Sequence, residues 1–324
     1  MKKKHLLLTL AIMGSCVFAK DVTIKFSHVV AEDTPKGQMA LKFKELAEAK
    51  SNGSIKVEVF PNSQLFTDGK VLKAMLLGDV QMAAPALSKF SRFTKKLQVY
   101  DLPFLFKDMA AVEKFQQSKK GQELLKAVEK KGIVGLGYIH NGMKQLSANA
   151  PMLVPADAKG KKFRIMTSDV LEAQFEAVDA IPLKKPFSEV FTLLQTKAID
   201  GQENTWSNMY SKKFFEVQAD ITETNHGLLD YMVVTSKKFM DSLSDEQKQI
   251  VKESLKESLA YGNQLSADKA AGDKQKIIDS GVSKVHTITA EQRQQWVEAM
   301  KPVWKQFEDD IGADIIEAAI QSNQ

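Results

Sequence analysis

The segment from Ser244 to Ser280 constrains the fold more than any other part of the chain. Ser244 followed by Gln247 has the spacing of a capping box, which begins a helix, and helical residues continue without a break to Ser280, just before Gly281. At about 1.5 Å per residue, such a helix is roughly 50 Å long. It is longer than one small lobe is wide, so we expect it to lie across two lobes.

The N-terminal half alternates strand and helix patterns. The strand patterns DVTIKFSHVV and IKVEVF flank the helix pattern TPKGQMALKFKELAEAKSNG. A second helix, roughly Lys70 to Leu77, leads into the apolar strand VQMAAPAL. This order is typical of an α/β fold in which helices cover a mostly parallel sheet.

The α/β pattern continues and then starts afresh in the second half. A helix is predicted from about Ala110 to Lys131, followed by the strand IVGLGYI, and the pattern restarts at KKFRIMT. No Pro-rich or Gly-rich linker separates the halves, so strands or helices must join the lobes. Pro302 is predicted to interrupt a later helix that begins after the capping box of Thr289 and Gln292.

Residues 1–19 have the composition of a secretory signal peptide that is cleaved after about Ala19. The basic stretch MKKKH precedes a mostly apolar run from Leu6 to Phe18, which is shorter than the about 20 residues that span a bilayer. We therefore predict a periplasmic mature protein. Retention and acylation of Cys16, as in a lipoprotein, is the alternative, and Met13-Gly14-Ser15 fits that signal poorly.

Cleavage would change both the charge and the thiol content of the chain. The formal net charge falls from +5 to +2, because three lysines at positions 2 to 4 are removed, and the only cysteine is lost as well. A nearly neutral chain gives no support for a nucleic-acid partner. A chain without cysteine cannot use thiol catalysis.

The sequence contains no motif for a metal, a cofactor or covalent catalysis. The five histidines form no His-x-x-x-His or His-x-His pair; they are His5, His28, His140, His226 and His286. The glycine-rich segment GIVGLG lies inside a strand pattern with no helix after it, and neither a P-loop nor a Gly-x-Ser-x-Gly motif occurs. We therefore expect no metal and no cofactor.

Arg164 in the strand KKFRIMT is the first candidate for a binding residue. It lies near the carboxyl-terminal end of the strand, where open α/β sheets bind ligands. Its planar guanidinium, with five donors, can hold a carboxylate through two parallel hydrogen bonds. The alternative is a solvated strand arginine, and the periodicity leaves both interpretations open.

The chain resembles the solute-binding proteins of tripartite ATP-independent periplasmic (TRAP) transporters, above all the branch that binds four-carbon dicarboxylates. The segment GKKFRIMTSDVLEAQFEAVDAIPLKKPFSEVFTLLQTKAIDGQENTWSN carries the resemblance. It combines an arginine-bearing strand, a Phe-Ser-Glu helix start and Asp-Gly-Gln-Glu-Asn at fixed spacing. Similarity in FSHVVAEDTPKG, LQVYDLPFLF and TETNHGLLDYMVVTSKKF extends it over most of the mature chain.

The resemblance implies a two-lobed periplasmic-binding-protein (Venus flytrap) fold, with mixed, mostly parallel sheets and a long helix crossing both lobes. We assign residues 20–142 and about 227–265 to lobe I, and residues 143–226 and about 266–324 to lobe II. The implied function is capture of succinate, malate or fumarate by lobe closure. A TRAP permease of one small and one large membrane subunit would receive the ligand and use an ion gradient. No bond in the ligand is made or broken.

The resemblance also implies roles for three residues of the second lobe. Arg164 is expected to pair with a ligand carboxylate, Asn204 to help hold the same group, and Phe187 to form an apolar wall of the cleft. Ser188 is predicted to cap the short helix that follows, and Asp200-Gly201 to make a turn before Asn204.

A dicarboxylate needs a second cation, because an unpaired carboxylate in a closed cleft costs several kcal/mol. Lys36, at a predicted helix N-terminus, and Lys89, with the Ser88 hydroxyl as an extra donor, are two candidates. Lys144 is the third, where many relatives have an arginine in a Gly-aromatic-Arg sequence. Each could instead be a solvated surface lysine. His28, after the first strand, is also expected to line the cleft.

Two alternatives remain open from the sequence. The same fold could bind another organic anion, such as a sugar acid, an aromatic acid or a sulfonate. A secreted enzyme could instead use Glu203 or Asp200 as a base next to a bound acid.

Overall fold

The structure is a computed structural model that describes residues 21–324. The predicted signal peptide, its cleavage site and Cys16 lie outside the described residues. Within residues 21–324, none of the helices combines the length and apolar character needed to cross a bilayer.

The described residues form one mixed sheet of nine strands, in which most neighbouring pairs are parallel. Its order is β2-β1-β3-β8-β4-β7-β5-β6, with β9 paired to β8. The strands are β1 (Val22–Ser27), β2 (Ile55–Phe60), β3 (Met82–Ala83), β4 (Ile133–Ala148), β5 (Lys162–Ile165), β6 (Ile181–Lys184), β7 (Gly201–Asn204), β8 (Asp220–Ser236) and β9 (Lys284–Thr287).

The long antiparallel strands β4 and β8 form the middle of the sheet and connect two groups of parallel strands. The strands β1, β2 and β3 are parallel to one another on one side, and β5, β6 and β7 on the other. The pairs β3–β8, β8–β4 and β4–β7 are all antiparallel, so the two groups run in opposite directions. Their carboxyl-terminal ends can therefore face a common space.

Helices cover this sheet. They are α1 (Pro35–Lys50), α2 (Asp68–Leu77), α3 (Met109–Gln117), α4 (Lys119–Leu125), α5 (Asp169–Glu176), α6 (Val190–Gln195), α7 (Trp206–Ser211), α8 (Lys237–Ser242), α9 (Asp245–Ser280), α10 (Ala290–Met300), α11 (Pro302–Ile311) and α12 (Ala313–Gln321).

Helix α9 agrees with the prediction at both ends. The Ser244 and Gln247 side chains each accept a hydrogen bond from the other residue's backbone N–H, and Gly281 ends the helix with a φ of 65°. The 36 residues of α9 span about 54 Å. The helix packs against α1 and α7, which the predicted bounds place in different lobes. Pro302 also begins a new helix, as predicted.

Three predictions of local structure are wrong. The helix predicted from Ala110 to Lys131 breaks at Ser118, because the extended Ser118 ends α3 and its side chain caps α4 by accepting from the Gly121 N–H. Ser188 does not cap α6, since residues 187–189 form a separate 3₁₀ turn. Gly201 does not make a turn but begins β7, between β4 and β5.

Glycine is required at position 201 because the neighbouring strands are close. A Cβ atom there would lie 2.4 Å from the Ser147 carbonyl oxygen and 2.6 Å from the Phe163 ring. Asp200 fixes the entry to the strand, since its carboxylate accepts from the Lys162 N–H at 2.7 Å. Gly201 is therefore needed for strand packing, and Asp200 supplies a hydrogen bond at the start of the strand.

The C-terminal helices contact the part of the chain predicted to form lobe I. Val303 and Phe307 of α11 and Ile316 of α12 belong to the same hydrophobic cluster as Val112 and Phe115 of α3. The assignment of residues 266–324 to lobe II stays a prediction.

Candidate functional site

A cavity of about 90 Å³ lies where the two groups of parallel strands end. Residues that follow β1 and β3, such as Val30 and Ala86, line it together with Met166 after β5 and Asn204 at the end of β7. The remaining lining residues come from β4, β7, β8, α7, the 3₁₀ turns and the start of α2; they include Thr67, Asp68, Gly69, Lys89, Lys144, Phe187, Glu203, Asn208 and Tyr231. The site is thus at the carboxyl-terminal ends of the strands, as is usual in open α/β sheets.

Arg164 is held in a fixed orientation that leaves its terminal amino groups for the cavity. It lies on β5, is 2% exposed, and donates from Nε to the Lys185 carbonyl oxygen at 2.9 Å. Its guanidinium carbon is 5.9 Å from the centroid of the Phe187 ring. The terminal amino groups form no hydrogen bond within residues 21–324. Burial lowers the pKa of Arg164 to about 10, so the group stays charged at neutral pH.

Asn204 is also fixed by its neighbours. Its Oδ1 accepts from Asn208 Nδ2 at 2.8 Å and from the Thr205 N–H at 3.1 Å. Its Nδ2 donates to Gln202 Oε1 at 3.2 Å, which leaves one of the two amide hydrogens for another partner. Because Arg164 is paired in register with Gln202 on the adjacent strand, Arg164 and Asn204 are close together at the same end of the sheet.

Lys144 lines the cavity, but its charge already has a partner inside the protein. Its Nζ is 2.7 Å from Glu203 Oε1, and the other Glu203 oxygen is 2.9 Å from His226 Nε2. Thr224 Oγ1 holds the second His226 nitrogen at 2.7 Å. Burial alone would raise the pKa of Glu203, but the Lys144 charge and the His226 hydrogen bond lower it to about 2. This network is a buried, satisfied ion pair.

Lys89 has no such partner. Its ammonium forms no hydrogen bond or ion pair with any residue in the described part of the chain. Burial, and next the charge of Arg164, lower the pKa of Lys89 to about 8. The start of α2, at Thr67, Asp68 and Gly69, also lines the cavity, and its helix dipole favours an anion there. The Asp68 carboxylate, which accepts from the Ala86 N–H at 3.2 Å, opposes that effect.

Three other predicted residues are buried but do not line this cavity; they are His28, Lys36 and Ser88. Lys36 Nζ lies 3.4 Å from the centroid of the Tyr231 ring, behind the cavity wall, and donates to the Ala84 carbonyl at 2.8 Å. Burial lowers its pKa to about 8. Ser88 Oγ contacts Met166 Sδ at 3.6 Å.

His28 is neutral in this environment. Burial, and next the charge of Lys36, lower its pKa to about 3. Neither ring nitrogen has a hydrogen-bond partner among residues 21–324.

Cavity residues at the start of α2, on α7 and on β8 were not predicted from the sequence. Thr67, an N-cap residue type, was the available signal for the start of α2, which the prediction placed at Lys70. Tyr231 and Asn208 had no comparable signal, because their approach to the cavity depends on contacts that are distant in sequence. Within residues 21–324, no three side chains of metal-ligand type come together as a metal site.

Comparison with known proteins places this chain in a well-defined group. The family model described as bacterial extracellular solute-binding protein, family 7, matches residues 26–310. The C4-dicarboxylate-binding periplasmic protein DctP of Shewanella loihica is 65% identical over 316 residues, which cover 97% of this chain and 94% of the relative.

Two solved structures are also similar to this chain over most of its length. A TRAP periplasmic solute-binding protein from Shewanella oneidensis, with bound succinate, is 64% identical with a TM-score of 0.93, over 94% of this chain and 100% of that chain. One from Pseudomonas aeruginosa, with bound L-malate, is 44% identical with a TM-score of 0.86, over 88% of this chain and 99% of that chain.

Proposed function

The chain belongs to bacterial extracellular solute-binding protein family 7 and to the TRAP solute-binding proteins, and from that premise we propose that it captures a four-carbon dicarboxylate such as succinate, malate or fumarate. The family and the two-lobed α/β fold predicted from the sequence are confirmed. The ligand and the residues that hold it are the proposal.

One observation carries this choice of ligand. Arg164 and Lys89 reach the same cavity, and both have donors that no carboxylate in the described chain occupies. A buried anion needs a cation at each charged end, so two such cations suit a ligand with two carboxylates. The cavity is small, at about 90 Å³, which suits a small diacid better than a larger acid.

The charges of the site support the same conclusion. Three lining cations, Arg164, Lys89 and Lys144, and two lining carboxylates, Asp68 and Glu203, give 3 − 2 = +1. Two further buried charges lie beside the cavity without lining it, Lys36 behind Tyr231 and Asp101, whose carboxylate interacts with Lys144 and Lys89, and they offset each other. The site therefore has a net positive charge, which favours an anion.

The proposed mechanism is lobe closure around the ligand. The first carboxylate docks on Arg164 and Asn204 in predicted lobe II, with Phe187 as the apolar wall. Closure then brings Lys89 of predicted lobe I to the second carboxylate, and this contact favours the closed state. The closed protein, in the periplasm after loss of the signal peptide, delivers the ligand to the small and large permease subunits.

A melting-temperature screen tests the choice of ligand. Succinate, malate, fumarate, malonate, acetate, butyrate and galactonate would each be added to the purified mature chain. At about 100 times its dissociation constant, a ligand stabilises the folded state by about 2.7 kcal/mol. We expect a rise in melting temperature with the four-carbon diacids. A larger rise with a monocarboxylate or a sugar acid would overturn the proposal.

An enzyme that uses Glu203 as a base is disfavoured by the geometry. Both carboxylate oxygens are occupied, and a pKa of about 2 makes the group a weak base. Incubation of succinate, malate or fumarate with the protein, followed by NMR, should return each acid unchanged. Conversion of any of them would support the enzyme instead.

Delivery to the permease has its own test. Uptake of labelled succinate by membrane vesicles that contain both permease subunits should require this protein and an ion gradient, and should proceed without ATP. Uptake that is equally fast without the protein would contradict this part of the proposal.

A further inference from the structure

A second depression, which we call the vestibule, lies next to the ligand cavity. It has a volume of about 780 Å³ and is bordered by α2 and by residues 91–93. Gly69, Lys89 and Thr167 line both the vestibule and the cavity, so the two spaces meet at these residues. Gly69 and Lys89 belong to predicted lobe I and Thr167 to predicted lobe II. The vestibule is therefore at the mouth of the cleft between the lobes.

The vestibule is strongly basic. Its lining includes the cations Lys70, Lys73, Lys89 and Arg92 but only one carboxylate, Asp79, so its formal charge is 4 − 1 = +3. None of these cations forms an ion pair with a carboxylate of residues 21–324. Many lysines elsewhere on the surface do, such as Lys184 with Asp169 and Lys274 with Glu223. The field of the four cations is consequently only partly offset by neighbouring carboxylates.

We propose that the vestibule is a capture surface that attracts the dianionic ligand from solution and leads it into the cavity. This inference rests on the proposed function, since it assumes that the ligand is an organic dianion. Lys89 joins the two spaces, so an anion attracted by the outer cations meets an inner cation as it advances.

The exposed position of the outer cations determines what they can do. Lys70, Lys73 and Arg92 are exposed to water, where each attraction is weak at contact and is screened by salt. The outer part of the vestibule also has an apolar wall that includes Phe66, Leu76 and Leu77, which offers nothing to a carboxylate. Such a surface raises the association rate without holding the ligand after closure.

The test neutralises two vestibule charges on one helix. The variant Lys70→Gln/Lys73→Gln changes two exposed lysines of α2. The matched control, Lys252→Gln/Lys256→Gln, changes two exposed lysines of α9 that line neither the cavity nor the vestibule. Association and dissociation rates of succinate would be measured by stopped-flow intrinsic fluorescence at ionic strengths of about 0.01 M and 0.15 M, where the Debye length is about 30 Å and 8 Å.

We expect the vestibule variant to associate about seven-fold more slowly at the low ionic strength and about two-fold more slowly at the high one. These values follow from two charges at roughly 10 Å from a dianion in water. The dissociation rate should stay at the parental value, and the control should match the parent in both rates.

Three results would overturn the capture surface. They are an association rate equal to that of the parent at both ionic strengths, an equal loss in the control, or a faster dissociation as the main effect. All three require succinate binding by the parent, so they are distinct from failure of the proposed function, in which the parent binds no dicarboxylate.

Discussion

Replacing Arg164 by alanine should abolish tight ligand binding without weakening the folded protein. The variant leaves a ligand carboxylate in the cavity without its cation, which we expect to cost ~3 kcal/mol or more. That loss corresponds to a roughly 150-fold increase in Kd for succinate. Isothermal titration calorimetry would measure it, and Arg164→Lys, which keeps the charge but loses the planar fork, should fall between the parent and the alanine variant.

The stability of the ligand-free protein distinguishes this role from a structural one. The pKa of Arg164 falls from 12.5 to about 10 through burial, which at 1.36 kcal/mol per pKa unit is on the order of 3 kcal/mol of unfavourable charge burial. Since this group is protonated in both states at pH 7, the cost is present there. Its removal offsets the lost hydrogen bond to the Lys185 carbonyl and the lost contact with Phe187.

We therefore expect the urea unfolding free energy of ligand-free Arg164→Ala to equal or exceed that of the parent. Arg293→Ala, which removes an arginine that packs on Phe104 outside the cavity, is the matched control for ligand binding and should bind succinate with the parental Kd. If Arg164→Ala bound succinate as tightly as the parent, the site assignment would be wrong. If it lost binding and also unfolded several kcal/mol more easily, the residue would be structural.

Other expected outcomes concern pH and buried ion pairs. Succinate affinity should fall as pH rises through about 8, where Lys89 loses its charge. Calorimetry with the Lys89→Arg variant should show this fall at a higher pH. Glu203→Gln should lower the urea unfolding free energy by ~3 to 5 kcal/mol, because Lys144 would stay buried without its counter-charge, and adding Lys144→Met should restore much of it. Burial alone would lower the pKa of His140, but the Asp230 carboxylate at 2.7 Å raises it above the ordinary value. The stability that this pair contributes is therefore fully present below the ordinary histidine pKa and is lost as pH rises through the raised value. Unfolding in urea from pH 5 to 9 should show that loss in the parent but not in Asp230→Asn.

Features that depend on neighbouring residues in the chain could be predicted from the sequence. The ends of α9 are fixed by a serine and a glutamine three positions apart and by a glycine after the last turn, and all three signals act locally. Arg164 could be identified as a candidate because the carboxyl-terminal ends of strands are the usual binding positions in α/β sheets. The free donors of its guanidinium and the identity of its neighbours could not be predicted in this way.

The segment from Asp200 to Asn204 shows why local signals fail elsewhere. Asp-Gly has the preferences of a turn, but here the glycine lies between two strands where no Cβ fits. Packing in the sheet thus overrides the local preference. The pairing of Lys144 with Glu203 joins positions 59 residues apart, so no local pattern could distinguish this lysine from Lys89.

The pairing of buried charges connects the fold to the ligand. Proteins rarely bury a charge without a partner, and Lys144 follows that rule through Glu203. The buried Arg164 and Lys36 and the half-buried Lys89 do not, because no carboxylate of residues 21–324 forms an ion pair with them, and loss of water contact lowers the pKa of each. Departures from general folding rules are expected where a chain serves function. Asp68 and Asp101 act on these cations only from beyond ion-pair distance, so Arg164 and Lys89 each lack a carboxylate in direct contact. A ligand with one carboxylate for each of them would make closure of the lobes favourable.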